Sequence, residues 1–286
     1  MAGRDQEVDG KMKRYWTHAL GALTAVGGLA ILGPACAHDD SSFFLNAVLA
    51  PPQGSANSGC VFTSDPTQPR LSTGVLDVDL VQGGNGDYTA WFLAGNQLIT
   101  EGNTEQLQTE TSRIIIQGAV VTVTLADGTK IPGGTGSYTA PSSGEIDPSA
   151  GETPGYSAVS FEIVDPATVT ALKNQLPPFN DEWIVSEVKA FGTTIGGDHV
   201  ESNTFQFPIR VCRGCLILWA TDTTMEPQPN CLGTFETTPM LPSICYLGQD
   251  VGGVPCTACT SEDPFCLCPG FKKTAANCGT TPACCP

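Results

Sequence analysis

Positive charge is scarce in this sequence. Lysine and arginine together number 13 against 29 aspartates and glutamates, so the chain has a formal net charge of −16. Proteins that bind DNA or RNA neutralise phosphates with clusters of lysine and arginine. This chain has no such cluster, so nucleic acid is excluded as a partner, and the charge is expected to keep the protein soluble through self-repulsion.

Histidine is scarce as well, which limits the catalytic chemistry. Only His199 lies beyond residue 38, in a Gly-rich turn near Ser202, and no Gly-x-Ser-x-Gly nucleophile motif accompanies it. We interpret His199 as a solvated turn residue and expect no catalytic residue, no metal and no cofactor. One alternative is a secreted hydrolase that uses paired carboxylates, with or without Ca²⁺. The segment 83–87 nearly matches a calcium-binding repeat but occurs once, so we interpret it as a hairpin turn.

No apolar run is long enough to favour a membrane-spanning helix. The stretch Ala19–Leu32 has 14 residues, against about 20 in a typical spanning helix. It follows the basic segment Met12–His18 and precedes small residues that end at Cys36, which predicts a secretory signal peptide over residues 1–36. Translation could start at Met1 or at Met12.

Two modes of processing remain open at Cys36. The small residues before it resemble a bacterial lipobox, in which a diacylglycerol is attached to the cysteine, although Gly33 and Pro34 depart from the usual pattern. Alternatively, Ala-Cys-Ala at 35–37 is a cleavage site that would release a soluble protein starting at His38. The lipoprotein is favoured, which predicts an outer-membrane anchor, and the alternative predicts secretion. We expect residues 37–59 to be a tether, with an edge strand as the alternative.

Long helical patterns are lacking, while Gly (32) and Pro (22) are abundant. Over residues 60–211 the apolar side chains repeat with a period of two, which is the spacing of β-strands. Seven to nine short strands with turns between them predict an antiparallel β-sandwich of immunoglobulin-like or fibronectin-like type. A hairpin turn is expected at Asp127-Gly128, a long loop over residues 132–155, and one short helix after the N-cap Asp165.

Two details of this domain follow from strand geometry. Alternation places Asp77 and Asp79 on the face opposite Leu76. Pro208 cannot donate a backbone hydrogen bond, so the last strand, Phe205–Val211, is predicted to be an edge strand.

Cysteine is nearly absent from the predicted domain and dense after it. Only Cys60 lies between residues 37 and 211, whereas eleven cysteines follow. Behind an export signal, this density predicts a disulfide-rich module over residues 212–286. The cysteines expected to form disulfides are Cys60, Cys212, Cys215, Cys231, Cys245, Cys256, Cys259, Cys266, Cys268, Cys278, Cys284 and Cys285.

Two Cys-x-x-Cys pairs, at 212/215 and 256/259, leave a zinc site and redox catalysis open as less favoured alternatives. The gap between the pairs is longer than the usual zinc-ribbon spacing, and the strand-helix context of redox motifs is missing. Eleven tail cysteines cannot all pair with each other, so Cys60 is expected to bond to the tail. Cys212 and Cys215 are the nearest candidate partners.

Three segments together resemble the cysteine-rich secreted lipoproteins of myxobacterial type. They are the leader, the alternating domain that closes in Phe205–Cys215, and the cysteine-dense tail with Leu247-Gly-Gln-Asp250. The resemblance covers most of the chain and brings no activity and no catalytic residue. The expected function is therefore a non-enzymatic envelope lipoprotein with a binding or surface-structural role, whose partner is an envelope protein or a glycan.

Overall fold

The structure is a computed structural model, which describes residues 42–52, 60–81, 86–102, 109–177, 180–218, 245–246, 248–250 and 253–255. These residues are mainly β, with twelve strands and one helix defined among them. The strands are β1 (Phe43–Leu49), β2 (Arg70–Leu71), β3 (Gly74–Asp77), β4 (Tyr88–Asn96), β5 (Ile114–Leu125), β6 (Ser137–Ile146), β7 (Gly155–Val164), β8 (Asp181–Thr194), β9 (His199–Glu201), β10 (Phe205–Cys212), β11 (Ile217–Leu218) and β12 (Val254–Pro255). The helix is α1 (Pro166–Gln175).

Two main sheets share one hydrophobic core. The four-stranded sheet has the order β2-β1-β4-β7 and is antiparallel throughout. The six-stranded sheet has the order β3-β10-β8-β5-β6, with β9 beside β8, and only its β3–β10 pair is parallel. Side chains of both sheets meet in the core, where the ring of Phe92 on β4 packs edge-on against Phe205 on β10 at 5.5 Å between centroids.

Strand alternation explains which side chains enter the core. On β8, Ile184, Val188 and Ala190 are completely buried, whereas Trp183 on the other face is 42% exposed. Burying one large aliphatic or aromatic side chain contributes about 1.5–3 kcal/mol. Apolar residues at every second position therefore hold each strand with one face on the core.

The N-terminal boundary of the domain differs from the prediction. The tether expected over residues 37–59 is wrong for Phe43–Leu49, which form β1 between β2 and β4. Phe43, Leu45 and Val48 are at most 3% exposed, so this stretch is held by burial in the core. The alternative of an edge strand is correct in that the segment is a strand, but wrong about its place, because β1 is an interior strand. Residues 37–41 and 53–59 lie outside the described part of the chain.

β6 lies within the segment predicted to be a long loop. It pairs with β5 and forms one edge of the six-stranded sheet. Only Ala140 and Ile146 are buried on it, and its other residues are mainly small and polar. An edge strand with so few buried positions lacks the apolar alternation by which strands are recognised.

Two local predictions are confirmed. The Asp165 carboxylate accepts a hydrogen bond from the Thr168 backbone N–H at 3.3 Å and caps α1, which starts with a proline. Gly128 has a φ of +82° in the predicted hairpin turn, which glycine adopts without strain. The strand that returns from this turn is β6, which begins at Ser137.

The prediction that the last strand is an edge strand is wrong. β10 lies between β8 and β3. β3 is short, however, and pairs only with Ile209–Cys212. Pro208 lies just before this paired stretch. Its missing N–H therefore removes no hydrogen bond between β10 and β3.

Among the described residues, no helix combines the length and the apolar character needed to cross a membrane. The signal peptide expected over residues 1–36 and the lipid attachment expected at Cys36 lie outside these residues. So does most of the cysteine-rich module expected over residues 212–286.

Candidate functional site

Two disulfides are present in the described part of the chain. For one of them, the sequence predicted one cysteine but not its partner. Cys60 bonds to Cys245 across a sequence separation of 185 residues, so the prediction that Cys60 bonds to the tail is confirmed. The suggested partners were wrong, because Cys212 and Cys215 bond to each other. The other cysteines expected in disulfides lie outside the described residues; they are Cys231, Cys256, Cys259, Cys266, Cys268, Cys278, Cys284 and Cys285.

The turn that carries Cys212–Cys215 rests on Asp77 at the end of β3. The Asp77 carboxylate accepts hydrogen bonds from the backbone N–H groups of Gly214 and Leu216, both at 2.9 Å. A third bond, at 3.1 Å, comes from the N–H of Asp79. Because backbone donors stabilise a carboxylate, they lower the cost of burying Asp77, which is completely inaccessible to solvent.

The carboxylate of Asp77 also faces the disulfide. One of its oxygens and the sulfur atoms of Cys212 and Cys215 all lie within 4.8 Å of one another. Burial raises the pKa of Asp77, and its three backbone hydrogen bonds oppose that rise. The bond between the sulfurs means that neither is a free thiolate for the zinc site considered as an alternative.

Asp79 is buried among cations rather than backbone donors. Its oxygens lie 3.0 Å from Lys173 Nζ on α1 and 3.1 Å from Arg213 Nε in the turn. Arg213 also donates to the Leu176 carbonyl at 3.1 Å, so it links the turn to the end of α1. Asp77 and Asp79, predicted on the face opposite Leu76, are therefore buried as well, because α1 and the Cys212–Cys215 turn cover this end of β3.

A second part of the tail docks along β3 and β4; we call its described residues, 245–246 and 248–250, the strap. Its backbone extends the edge of β3, since Asp77 N–H donates to the Gly248 carbonyl at 2.7 Å and Asp250 N–H donates to the Val75 carbonyl at 3.0 Å. The Gln249 side chain does the same for β4, with bonds of 3.0 and 2.6 Å to the backbone N–H and carbonyl of Thr89. The strap thus satisfies backbone groups of both sheets.

Two further side chains anchor the strap. The Trp91 Nε1–H donates to the Tyr246 hydroxyl at 2.8 Å. Asp250 accepts hydrogen bonds from the Tyr88 hydroxyl and, at 2.8 Å, from the Val75 N–H. Burial raises the pKa of Asp250 to about 6, although both hydrogen bonds oppose the rise. Burial and the Asp250 charge also raise the pKa of Tyr88 well above its ordinary value.

The outward side of the six-stranded sheet carries an exposed mixed surface, which we call the outer face. Trp183 on β8 is 42% exposed and pairs in register with Arg210 on β10. Val120 on β5 is 45% exposed and lies opposite Lys189. The outer face consists of Val120, Thr122, Thr124, Trp183, Val185, Glu187, Lys189, Gln206, Pro208 and Arg210.

No protein-family model and no curated protein matches this chain.

The residues considered for hydrolysis do not form a nucleophile set. His199 is exposed at the start of β9, with Nε2 3.6 Å from Glu201, which also pairs with Lys189 at 2.5 Å. Ser202 is completely buried, and its hydroxyl accepts the Ala190 N–H at 2.9 Å. Since this hydroxyl supports the backbone, it is not presented to a substrate.

Carboxylates do gather near Tyr138. Burial, together with the charges of Asp87 and Asp165, raises the pKa of Glu162. Asp165, however, is used to cap α1 and accepts a 2.6 Å bond from Thr135 Oγ1. Asp165 is therefore committed to structure, which leaves Glu162 and Asp87 as the remaining carboxylates of this group.

Sequence reasoning missed the anchoring roles of Asp77, Asp79 and the strap. The local signal was the Asp-x-Asp spacing between large aliphatic residues, from which strand alternation predicted only that both carboxylates lie on the face opposite Leu76. The groups that cover them come from residues 173, 213–216 and 248–250, which no local pattern connects to β3. Trp91 on β4 and Trp183 on β8 lie in different sheets, so they do not form one stacking platform.

Proposed function

We propose that the protein is a non-enzymatic lipoprotein of the cell envelope, built on an immunoglobulin-like or fibronectin-like β-sandwich and anchored by a lipid on Cys36 after removal of its leader. The Cys60–Cys245 disulfide carries this proposal. Disulfides persist in compartments outside the reducing cytoplasm, and this one closes the tail onto the domain. The role of such a molecule is binding or surface structure.

The outer face is the surface that contacts the partner. Tryptophan and arginine are enriched where interfaces concentrate their binding free energy, and Trp183 lies beside Arg210 here. Arg210 is held by Asp181, with 2.5 Å between Nε and the carboxylate, so its stem and the indole form an ordered surface. An envelope protein or a glycan stacked on the indole matches this chemistry.

Fractionation with lipid labelling tests the location. The full chain, expressed in a bacterium with a lipoprotein pathway, should take up labelled fatty acid and sediment with outer membranes. Cys36→Ala is expected to abolish the label, while Cys60→Ala retains it. An unlabelled soluble product that starts at His38 would contradict the anchor and support the secreted form.

A pull-down of envelope components tests the binding role. Trp183→Ala should reduce recovery of the partner by about tenfold or more, as expected for an interface hot spot. Ile99→Ala is the matched control, because Ile99 is 76% exposed but belongs to neither main sheet. Equal recovery with both variants would remove the outer face from the proposal.

A further inference from the structure

The two sulfurs of the Cys212–Cys215 disulfide differ in their access to solvent. Cys215 is exposed, whereas Cys212 is only 1% exposed. A cleft of about 80 Å³ opens beside them, lined by Asn180, Asp181, Arg210 and the turn itself. A reactant can therefore reach Cys215 from solvent, while Cys212 is protected beneath it.

Asp77 holds the turn independently of the disulfide. The two N–H groups that it binds, of Gly214 and Leu216, belong to the residues on either side of Cys215. The Val78 N–H also donates to the Cys212 carbonyl at 2.9 Å. These bonds do not involve sulfur, so opening the disulfide leaves the backbone of the turn in place.

The charges around Asp77 leave its carboxyl group directed at the sulfurs. Asp79 is the neighbouring carboxylate, and its charge adds to the rise in the pKa of Asp77. The cations near Asp79, Lys173 of α1 and Arg213 of the turn, bind Asp79. Arg210, across the cleft, is paired with Asp181.

We propose that Cys212–Cys215 is a thiol–disulfide exchange site, in which a dithiol of a partner protein reacts at Cys215 and Asp77 exchanges a proton with Cys212. The activity goes beyond the binding role proposed above. It assigns one of the two disulfides to exchange and leaves Cys60–Cys245 as the structural bond.

The exchange takes place in two balanced steps. A partner thiolate attacks Cys215 Sγ, a mixed disulfide forms, and the bond to Cys212 breaks with its electron pair on Cys212 Sγ, which takes the proton of the Asp77 carboxyl group. The second partner thiolate then attacks the first partner sulfur, the partner disulfide forms, and Cys215 leaves as a thiolate. The partner dithiol is oxidised and the Cys212–Cys215 pair is reduced.

Asp77 gives this chemistry a distinctive dependence on pH. When Asp77 is ionised, a thiolate on Cys212 would place two buried negative charges within 4.8 Å of each other. When Asp77 is protonated, the leaving sulfur can take up the proton instead. The rate constant per attacking thiolate should therefore fall as pH rises. The observed rate, by contrast, tends to rise with pH because a larger fraction of the attacking thiol is ionised.

A matched pair of cysteine variants tests which sulfur reacts. In the full chain, Cys212→Ser leaves Cys215 to react with oxidised glutathione, and Cys215→Ser leaves Cys212. Trypsin cleaves after Arg213, between the two positions, so mass spectrometry assigns the glutathione adduct to one cysteine. We expect Cys215 to react about tenfold faster or more, because it is exposed. Equal rates, or faster reaction at Cys212, would overturn the proposal.

The pH profile tests the part played by Asp77. Expressed per thiolate, reduction of the wild-type Cys212–Cys215 bond by glutathione should fall about tenfold as pH rises through the pKa of Asp77, which burial holds above its ordinary value. Asp77→Asn should flatten this profile, whereas Asp250→Asn, at a buried carboxyl in the strap, should leave it unchanged. If Asp77 were purely structural, Asp77→Asn would change the rate by the same factor at every pH. That result would overturn the proton-transfer role of Asp77. If Asp77→Asn does not fold, the wild-type protein alone still tests the role. A rate constant per thiolate that stays flat or rises with pH would overturn it.

Discussion

The strap and the Cys212–Cys215 turn are two parts of the tail that meet the same strand, β3, by opposite means. At the strap, side chains of the tail, Gln249 and Asp250, bind backbone groups of the domain. At the turn, the domain supplies the side chain, Asp77, and the tail supplies backbone N–H groups. Backbone–backbone hydrogen bonds also hold both parts to this end of the domain. The difference between them therefore lies in which side supplies the side chains: the tail at the strap and the domain at the turn.

The two disulfides that involve the tail differ in the length of chain that each one closes. Cys60–Cys245 closes a sequence separation of 185 residues, whereas Cys212–Cys215 closes one of three. The chain entropy removed from the unfolded state grows with loop length, to about 5 kcal/mol for the first bond and about 2 kcal/mol for the second. Stability and exchange chemistry can therefore be assigned to separate bonds.

The largest expected effect comes from removing the long-range bond. Replacing both Cys60 and Cys245 by Ala should lower the free energy of unfolding by about 4–5 kcal/mol, because the unfolded chain regains the entropy of an open loop. Replacing both Cys212 and Cys215 by Ala should cost about 2 kcal/mol. Urea unfolding followed by fluorescence measures both. An equal loss of unfolding free energy in the two variants would contradict the assignment of Cys60–Cys245 as the structural bond.

Breaking the buried ion pairs of Asp79 should have the next largest effect. Its side chain is 1% exposed and lies against Lys173 and Arg213. Asp79→Asn leaves two partly buried cations without their carboxylate, which should cost about 3 kcal/mol. Asp198→Asn, at an exposed turn, is the control in the same unfolding measurement. A loss below about 1 kcal/mol would show that solvent replaces the pairs.

The strap should also make stability depend on pH. The pKa of Asp250 is about 6 in the folded protein, against about 3.9 in an unfolded chain. Because the folded state holds this proton more tightly, the contribution of Asp250 to stability is greatest below about pH 4 and falls by about 3 kcal/mol as pH rises through about 6.

The comparison with Asp250→Asn isolates this titration from other carboxyl groups. The amide keeps an oxygen toward the Val75 N–H but cannot ionise. We expect the difference in unfolding free energy between wild type and variant to change across this pH range. A difference that is constant from about pH 4 to about pH 7 would contradict the assignment.

The smallest expected effect comes from the hydrogen bond between Trp91 and Tyr246 of the strap. Tyr246→Phe removes the acceptor of the Trp91 Nε1–H and should cost about 1 kcal/mol, the usual contribution of one hydrogen bond. Tyr156→Phe on β7 is the matched control. Thermal unfolding detects a change of this size, and equal melting temperatures for the two variants would show that solvent satisfies the indole.

Sequence reasoning predicted well where one strand face is buried along its length. Apolar alternation revealed β5, β8 and β10, and capping chemistry revealed α1, because both signals are local. β1 was assigned mainly to a tether, since its apolar residues lie between polar and proline-rich segments. β6 escaped because its small polar residues bury little surface.

The candidate site was less predictable than the fold for a related reason. Parity among cysteines required a bond from Cys60 to the tail, but Cys245 could be chosen only once the strap was seen along β3 and β4. The burial of Asp77 results from contacts with residues more than 130 positions away. Such contacts depend on tertiary structure, which short-range patterns do not encode.

The docking of the strap also sets the order in which this domain can be completed during synthesis. β3 and β4 emerge early, yet the groups that cap them at Val75, Asp77 and Thr89 come from residues 248–250. Until that segment is available, the outer edge of β3 has open backbone donors and acceptors and can pair with another chain. A nascent chain that has passed β10 therefore needs about 40 further residues before this edge is closed, and protection from strand pairing matters most in that interval.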